Sequence, residues 1–319
     1  AVLSLDLPFE GTTLVFHKKE NRMSSQFDLL HTRRFAPFFG TQFLGAFNDN
    51  LFKNALVVLL TFHAASWTTM SPEVLSNVAA GIFMLPFFLF SATAGQLADK
   101  YDKAKLARLV KLLEMVIMAV ALLGFSTQSL EVLLTALFLL GLHSTLFGPV
   151  KYAILPQHLR EDELVGGNAL VEAGTFVAIL IGTLAGGLLV GAAGHPNWVA
   201  MAGLLVAALG YLCSRGIPTA PPPVPDLAVS LNPLSETWRN IGFARQNRTV
   251  FLSILGISWF WLYGALFLAQ FPAYAKNVLG GSETSVTLLL AVFTVGIGLG
   301  SLLCEKLSAG HVEIGLVPF

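Results

Sequence analysis

The residues best equipped for chemistry lie in one run, Gln42-Phe-Leu-Gly-Ala-Phe-Asn-Asp-Asn-Leu-Phe-Lys-Asn54, where an acid, a base and three asparagines interrupt an apolar stretch. As a helix, residues 35–62 extend about 42 Å, against a bilayer hydrocarbon core about 30 Å thick, so Asp49 falls near its middle. A carboxylate at that depth costs roughly 2.5 to 3.5 kcal/mol, and such groups face a bundle interior or a watery cavity rather than lipid. At about 100° per residue, Gln42, Gly45, Asp49 and Lys53 share one stripe, while Phe43, Leu44, Phe47 and Leu51 turn away. Asp49 and Lys53 are four apart, the spacing at which an acid and a base on a helix meet as a neutral pair. Such a pair either holds two spans together or yields to a polar headgroup or a proton during a transport cycle. Asn48, Asn50 and Asn54 admit the same two readings.

A second set of candidates follows further along. Asn168, Glu172, Thr175, Gly182 and Gly186 share a stripe of the run 164–190, interrupted by Ile179. Gly182 and Gly186 form a small-residue surface for close helix packing. Glu172, about 12 Å inside that helix, is the better site candidate. His143, Ser144 and Thr145 precede Gly148-Pro149-Val-Lys151-Tyr152, where the proline is expected to break the helix. Lys151 there either meets a phosphate or is an ordinary basic flank. Trp259, Trp261, Tyr263, Gln270 and Tyr274 either line the path of an amphipathic substrate or serve as aromatic packing and interfacial belt.

The elements that must position these groups are membrane helices. Hydrophobic residues make up 55% of the 319, charged residues 12%, and phenylalanine alone accounts for 25 positions, far more apolar than an ordinary soluble protein. Eight apolar runs are long enough, or nearly so, to span: 35–62, 73–98, 106–125, 131–150, 164–190, 197–214, 250–271 and 285–303, with a ninth starting at Val312. Lipid offers the backbone no hydrogen-bond partners, so the expectation is all-α. The net charge of zero argues against a nucleic-acid partner. Cys213 and Cys304 give neither a disulfide framework nor a metal cluster and are expected to be packing residues. No phosphate loop, catalytic triad or metal-ligand cluster is present, and neither a catalytic residue nor a cofactor is expected. His158 with Glu163 five positions on only loosely suggests an acyltransferase motif, which carries aspartate there.

Basic residues set the topology. Arg33 and Arg34 precede the first span, Lys100, Lys103, Lys105, Arg108 and Lys111 follow the second, Lys151 and Arg160 the fourth, Arg215, Arg239, Arg245 and Arg248 the sixth, and Lys306 the eighth. The opposite loops, 63–72, 126–130, 191–196 and 272–284, hold only Lys276. This places the N-terminus in the cytoplasm. Residues 1–34 form a tail without a signal-peptide core, with Met23 offering an alternative start. Residues 35–214 form a six-helix bundle. Residues 215–249 hold a stiff proline-rich linker, Pro218-Thr-Ala-Pro-Pro-Pro-Val-Pro225, and an amphipathic helix capped by Asn232 and Pro233 and expected on the membrane surface. Residues 250–319 begin a second bundle, expected to lack roughly four helices of a transporter plan built on two repeated halves. In keeping with repetition, Gly95-Gln-Leu-Ala-Asp99-Lys100 is echoed by Gly300-Ser-Leu-Leu-Cys304-Glu305-Lys306.

Gly95-x-x-x-Asp99-Lys100-Tyr-Asp102-Lys103-Ala-Lys105 resembles the signature between the second and third spans of the major facilitator superfamily, with Asp102 where that family usually has glycine and Ala104 interrupting the basic pair. The resemblance implies a cytoplasmic gate made by Gly95, Asp99, Lys100 and Lys103, in which the glycine allows close helix approach and the acid latches one conformation. The glycine-proline motif in span five and the arginine motif in span four of drug-proton antiporters are both missing. More specifically, Arg34 to Asn50, Gly148-Pro-Val-Lys-Tyr-Ala-Ile-Leu-Pro156 and Glu163-Leu-Val-Gly-Gly-Asn-Ala-Leu-Val-Glu-Ala-Gly-Thr175 look like the lysophospholipid transporter family of that superfamily.

That resemblance implies inward movement of lysophospholipid, notably the ethanolamine form, across a bacterial inner membrane by alternating access. It implies a headgroup near Asp49, Lys53, Glu172, Asn50 and Gln42, with membrane lipids around the acyl chain. Some relatives are fused to an acyltransferase and an acyl-carrier-protein synthetase. A membrane anchor for such a fused enzyme, or a facilitator of another small or drug-like solute, are the alternatives.

Overall fold

The computed structural model describes residues 26–63, 70, 72–192, 196–230, 232–280 and 283–308. The start of the tail, the side chains of Gln270 and Lys276, much of the loops at 63–72 and 191–196, residues 281–282 and the run from Val312 lie outside the described residues. The described part is helical, with no strand: α1 (Ala36–His63), α2 (Pro72–Lys100), α3 (Lys103–Thr127), α4 (Leu130–His158), α5 (Leu164–Ala192), α6 (Asn197–Arg215), α7 (Pro233–Gln246), α8 (Arg248–Asn277) and α9 (Glu283–Leu307). Among the described residues α2 to α6 are long and apolar enough to cross a membrane. α1 has the length, but Asn48, Asp49, Asn50, Lys53 and Asn54 make its middle polar.

The helix boundaries follow local chemistry. Asp102 caps α3, its side chain accepting from the Lys105 amide, and Ser129 caps α4 through the Val132 amide. Asn232 and Pro233 open α7 as cap and first helical residue, as their sequence implies. The expected break at Pro149 does not occur. α4 continues through Pro149 and Pro156 to His158, as α2 continues through Pro86. Flanking helices and hydroxyl groups support the backbone around such a proline in place of water, and Thr145 Oγ1 donates to the Gly141 carbonyl one turn before Pro149. The continuation carries Lys151 and Tyr152 on a helix instead of a loop.

Three partnerships build the six-helix core: α1 with α5 and α2 with α4, each running parallel, and α3 with α6, running antiparallel, with α6 also packed on α1 and α3 on α4. Glycine permits the approach. A β-carbon at Gly182 would lie 2.4 Å from the Phe47 carbonyl oxygen, one at Gly186 2.4 Å from that of Leu51, and one at Gly141 2.2 Å from that of Phe83. Two apolar clusters fill the interior. One gathers Leu51, Phe52, Leu56, Leu60, Ile117 and Leu133. The other gathers Phe35, Phe38, Ala107, Ile154 and Val171 toward the end that carries the basic residues, here termed the basic rim. α9 packs on α5, and Trp261 of α8 stacks on Phe176 of α5 with ring centroids 6.2 Å apart. α8 otherwise exposes apolar side chains around its circumference, including Leu252, Ile254, Ile257, Trp259 and Leu262. A helix hydrophobic all round suits lipid or further helices.

The linker does not hang free. The Lys103 amide donates to Ala220 O at 2.9 Å, the Val224 amide to Asp99 O at 3.1 Å, and the Ser230 amide to Gln96 Oε1 at 2.8 Å. Arg108 donates to the carbonyls of Ser214 and Ile217. Cys213 packs against Gly40 as expected, whereas Cys304 is exposed on α9, contrary to the expectation of a packing role.

A β-carbon at Gly182 or Gly186 would strike main chain, which has no rotamer to escape into. Gly182→Leu or Gly186→Leu is therefore expected to lower the melting temperature of purified protein in detergent by at least about 5 °C, or to abolish folding. Gly81→Ala, whose added carbon meets nothing within 4 Å, is expected to leave it unlowered in the same thermal scan.

Candidate functional site

Five helices enclose a cavity of about 260 Å³ lined by Gln42, Gly45 and Asp49 of α1, Phe87 of α2, Lys111 of α3, His143, Ser144, Phe147, Lys151 and Tyr152 of α4, and Thr175 of α5. Its wall combines both charge signs with aromatic surface. Asp49 does not pair with Lys53. Its Oδ2 accepts from Ser144 Oγ, and its Oδ1 lies 3.9 Å from His143 Nδ1. Lys53 Nζ sits over the Phe83 ring, 5.1 Å from the centroid, beside a separate cavity of about 310 Å³ lined by Asn54, Val57, Ala79, Ala80 and Met84. The helical spacing allowed the pair, but α4 supplies Asp49 with closer donors and Phe83 supplies Lys53 with a ring.

Of the other sequence candidates, Gln42 lines the cavity. It accepts from Thr175 Oγ1 at 3.0 Å. Thr175 in turn accepts from Lys151 Nζ at 2.9 Å. Glu172 stands beside this chain, accepting from the Tyr152 hydroxyl at 2.5 Å and lying 3.8 Å from Lys151 Nζ. Asn50 does not join them, because its amide bonds back to the Ala46 carbonyl of its own helix. Asn54 donates across to the Thr183 carbonyl and so ties α1 to α5.

The most deeply buried charges do not stand out as a site in the sequence. Lys111 groups there with the basic flank of α3, yet it is 1% exposed and ion-paired to Glu114, which is fully buried. Glu114 also accepts from Asn48 Nδ2 at 2.6 Å and lies 3.2 Å from His143 Nε2. Asn48 Nδ2 further donates to the Gly203 carbonyl at 3.2 Å, joining α1, α3 and α6. Gly45 and Gly210 leave the room that the Lys111 side chain occupies. The signal was available: a lysine and a glutamate three apart inside an apolar run are a helical pair, not a flank.

At the basic rim, Asp99 is exposed, and it is the neighbouring Asp102 that caps α3 and accepts from the Ala220 amide at 3.0 Å. Lys103 is buried under the linker and reaches the Pro221 carbonyl at 3.5 Å, while Lys100 lies over the Tyr101 ring. Gly95 makes no close helix approach, since a β-carbon there would meet nothing within 4 Å among the described residues. Arg34 forms a two-point pair with Glu163 at 2.5 Å and donates to the His158 carbonyl at 3.1 Å. Its hydrogen bond to Glu163 pushes the guanidinium pKa up. The His158 and Glu163 spacing thus braces the turn between α4 and α5.

Residues 38–315 match the Major Facilitator Superfamily. The chain belongs to that superfamily. As a major facilitator, it pairs this helical fold with relatives that carry transport in their names. It is 29% identical over 273 residues to the lysophospholipid transporter LplT of Enterobacter sp. (strain 638), and 28% over 279 to that of Klebsiella pneumoniae (strain 342). It is 30% identical over 277 residues to that of Salmonella typhimurium (strain LT2). Each match covers 83% of this chain and 64% of the relative, so the chain spans just under two thirds of the length of the transporters it matches. This family and the apolar helices make the chain a multi-pass membrane protein.

Within this major facilitator, breaking the buried pair strands a charge. Glu114→Ala is expected to cost about 3 to 5 kcal/mol, whereas replacing Lys111 and Glu114 together by methionine recovers most of the loss. Chemical or thermal unfolding of the two variants in detergent checks the ordering.

Proposed function

We propose that the chain carries lysophospholipid, with lysophosphatidylethanolamine as the preferred form, inward across a bacterial inner membrane by alternating access. The observation that carries the reading is the cavity bearing Asp49 and Lys151 on one wall system, in a chain whose relatives are named lysophospholipid transporters. A zwitterionic headgroup has one charge for each. Its ammonium settles at Asp49, and its phosphate meets Lys151, which Thr175 and Tyr152 hold in place. Gln42 completes the polar wall, Glu172 stands behind it against Tyr152 and Lys151, and Phe87 and Phe147 offer the start of an apolar surface for the single acyl chain. Lys53 opens on a different cavity and Asn50 on its own helix, so neither belongs to this headgroup site.

The basic rim is cytoplasmic in this reading, by the excess of Lys and Arg there. Residues 35–214 act as one bundle and 250–319 as the start of its partner. The gate lies at 95–103, acting through the linker strapped across Lys103 and Asp102.

Uptake of labelled lysophosphatidylethanolamine by spheroplasts expressing the protein tests the reading. Uptake above that of cells lacking it is expected, with a loss of about tenfold or more in Asp49→Ala and in Glu172→Ala. No uptake sinks the transport function. Undiminished uptake in both variants sinks the site and leaves transport standing.

A further inference from the structure

His143 is a buried imidazole between two carboxylates of different helices. Nε2 lies 3.2 Å from Glu114 Oε2 of α3, and Nδ1 lies 3.9 Å from Asp49 Oδ1 of α1. The side chain is 3% exposed, and neither ring nitrogen nor Asp49 Oδ1 has a hydrogen-bond partner of normal geometry. The surrounding elements add few other charges: α1 also carries Lys53, one turn from Asp49, but its ammonium lies over the Phe83 ring beside the other cavity. α3 also presents Lys111, already paired with Glu114. The part of α2 packed here, residues 83–87, is Phe-Met-Leu-Pro-Phe with no titratable group, and α6 offers Gly203 and Gly210. Lys151 and Tyr152 line the same cavity and are both engaged by Glu172 beside it.

The charge sum is therefore short. Lys111 cancels Glu114. With a neutral imidazole the cluster keeps one net negative charge, on Asp49, and with an imidazolium it reaches zero. Burial penalises an uncompensated charge, which favours the neutral total. An ammonium group entering beside Asp49 supplies the same compensation from outside.

We propose that His143 is a proton site in competition with a cationic headgroup. The imidazole holds the proton while the cavity is empty and gives it up when an ammonium settles against Asp49. This rests on the lysophospholipid reading above and adds what drives it. In the empty state both ring nitrogens carry hydrogen, donating toward Asp49 and Glu114. On arrival of the headgroup one N–H bond breaks, the proton passes to cavity water, and the ring keeps a single N–H. At Asp49 one positive charge leaves as one enters, while the phosphate's negative charge is met separately by Lys151, so an amine-bearing lipid exchanges against a proton and an amine-free one does not.

Purified protein in nanodiscs is titrated in weak buffer with lysophosphatidylethanolamine and, separately, lysophosphatidylglycerol, with a pH indicator reading proton release. The ethanolamine lipid is expected to release close to one proton, and its dissociation constant to fall up to about tenfold per pH unit on the acid side of the titration, the limit for one displaced proton. The glycerol lipid shows neither effect. In His143→Gln the ethanolamine lipid releases no proton and its affinity no longer varies with pH. In Asp49→Asn, which removes the carboxylate for which proton and ammonium compete, the ethanolamine lipid is likewise expected to release no proton. Equal release with both lipids, or release that persists in His143→Gln or in Asp49→Asn, overturns the proposal. Where His143→Gln does not fold, the contrast between the two lipids in the unsubstituted protein decides alone. Binding of the ethanolamine lipid that ignores pH defeats only this proposal. Absence of binding by any lysophospholipid defeats the transport reading and this one together.

Discussion

An ammonium and a carboxylate sealed away from water, Lys111 with Glu114, constrain the rest of the bundle. Each ion left alone there would cost several kcal/mol, and pairing offsets that only if the remaining lone pairs and protons also find partners. Glu114 finds them in Asn48 of α1 and His143 of α4, so a charge on α3 dictates which faces of two other helices turn inward. Asn48 spends its second amide hydrogen on the Gly203 carbonyl and brings α6 into the same knot. The glycines follow from the charges. Gly45 and Gly210 border Lys111, and Gly203 borders Asn48 and Met118, so a side chain at any of the three would occupy space that the polar groups already fill. With Asn48 fixed, α1 cannot roll about its axis, and Gln42 and Asp49 face the cavity as a consequence.

Much of the architecture was legible because hydropathy and basic flanks are strong, repeated signals. The eight apolar runs that fall on described residues correspond to helices, the Asn232 cap was visible, and the Gly182 and Gly186 stripe proved to be the seam with α1. What escaped was information held in more than one helix. Pro149 reads as a breaker in isolation, yet the flanking helices keep α4 intact past it, and with that continuation Lys151 moves from a loop to the cavity wall. Lys111 reads as a topogenic lysine when counted with its neighbours at the rim, and only the packing of α6 over it shows the burial. His143 carried no sign of its partners, because Glu114 and Asp49 are distant in sequence and approach it from opposite sides. Gly95 erred in the other direction: its place in a signature suggested a tight crossing, and no described element comes near it.

Asp49 and Lys53 show how a correct local rule can be overridden. Four residues apart on one helix, they could have closed on each other for a few tenths of a kcal/mol. Ser144 and His143 offer Asp49 more, since they belong to a network that Glu114 already fixes in place, and a ring face offers Lys53 an alternative without a charged partner. The acid and the amine consequently open on two different cavities. The proposed headgroup site then rests on a pair no spacing rule would select, Asp49 on α1 and Lys151 two turns along α4 from His143. Lys151 is held by a neutral hydroxyl on Thr175 and lies at 3.8 Å from Glu172, a looser arrangement than the Lys111 pair. A headgroup phosphate can draw such an amine away at small cost, which a lysine locked to a buried carboxylate would not allow. The bundle thus keeps one ion pair closed and one loosely held, the second free for exchange in the proposed transport cycle, and the boundary between the two runs through His143.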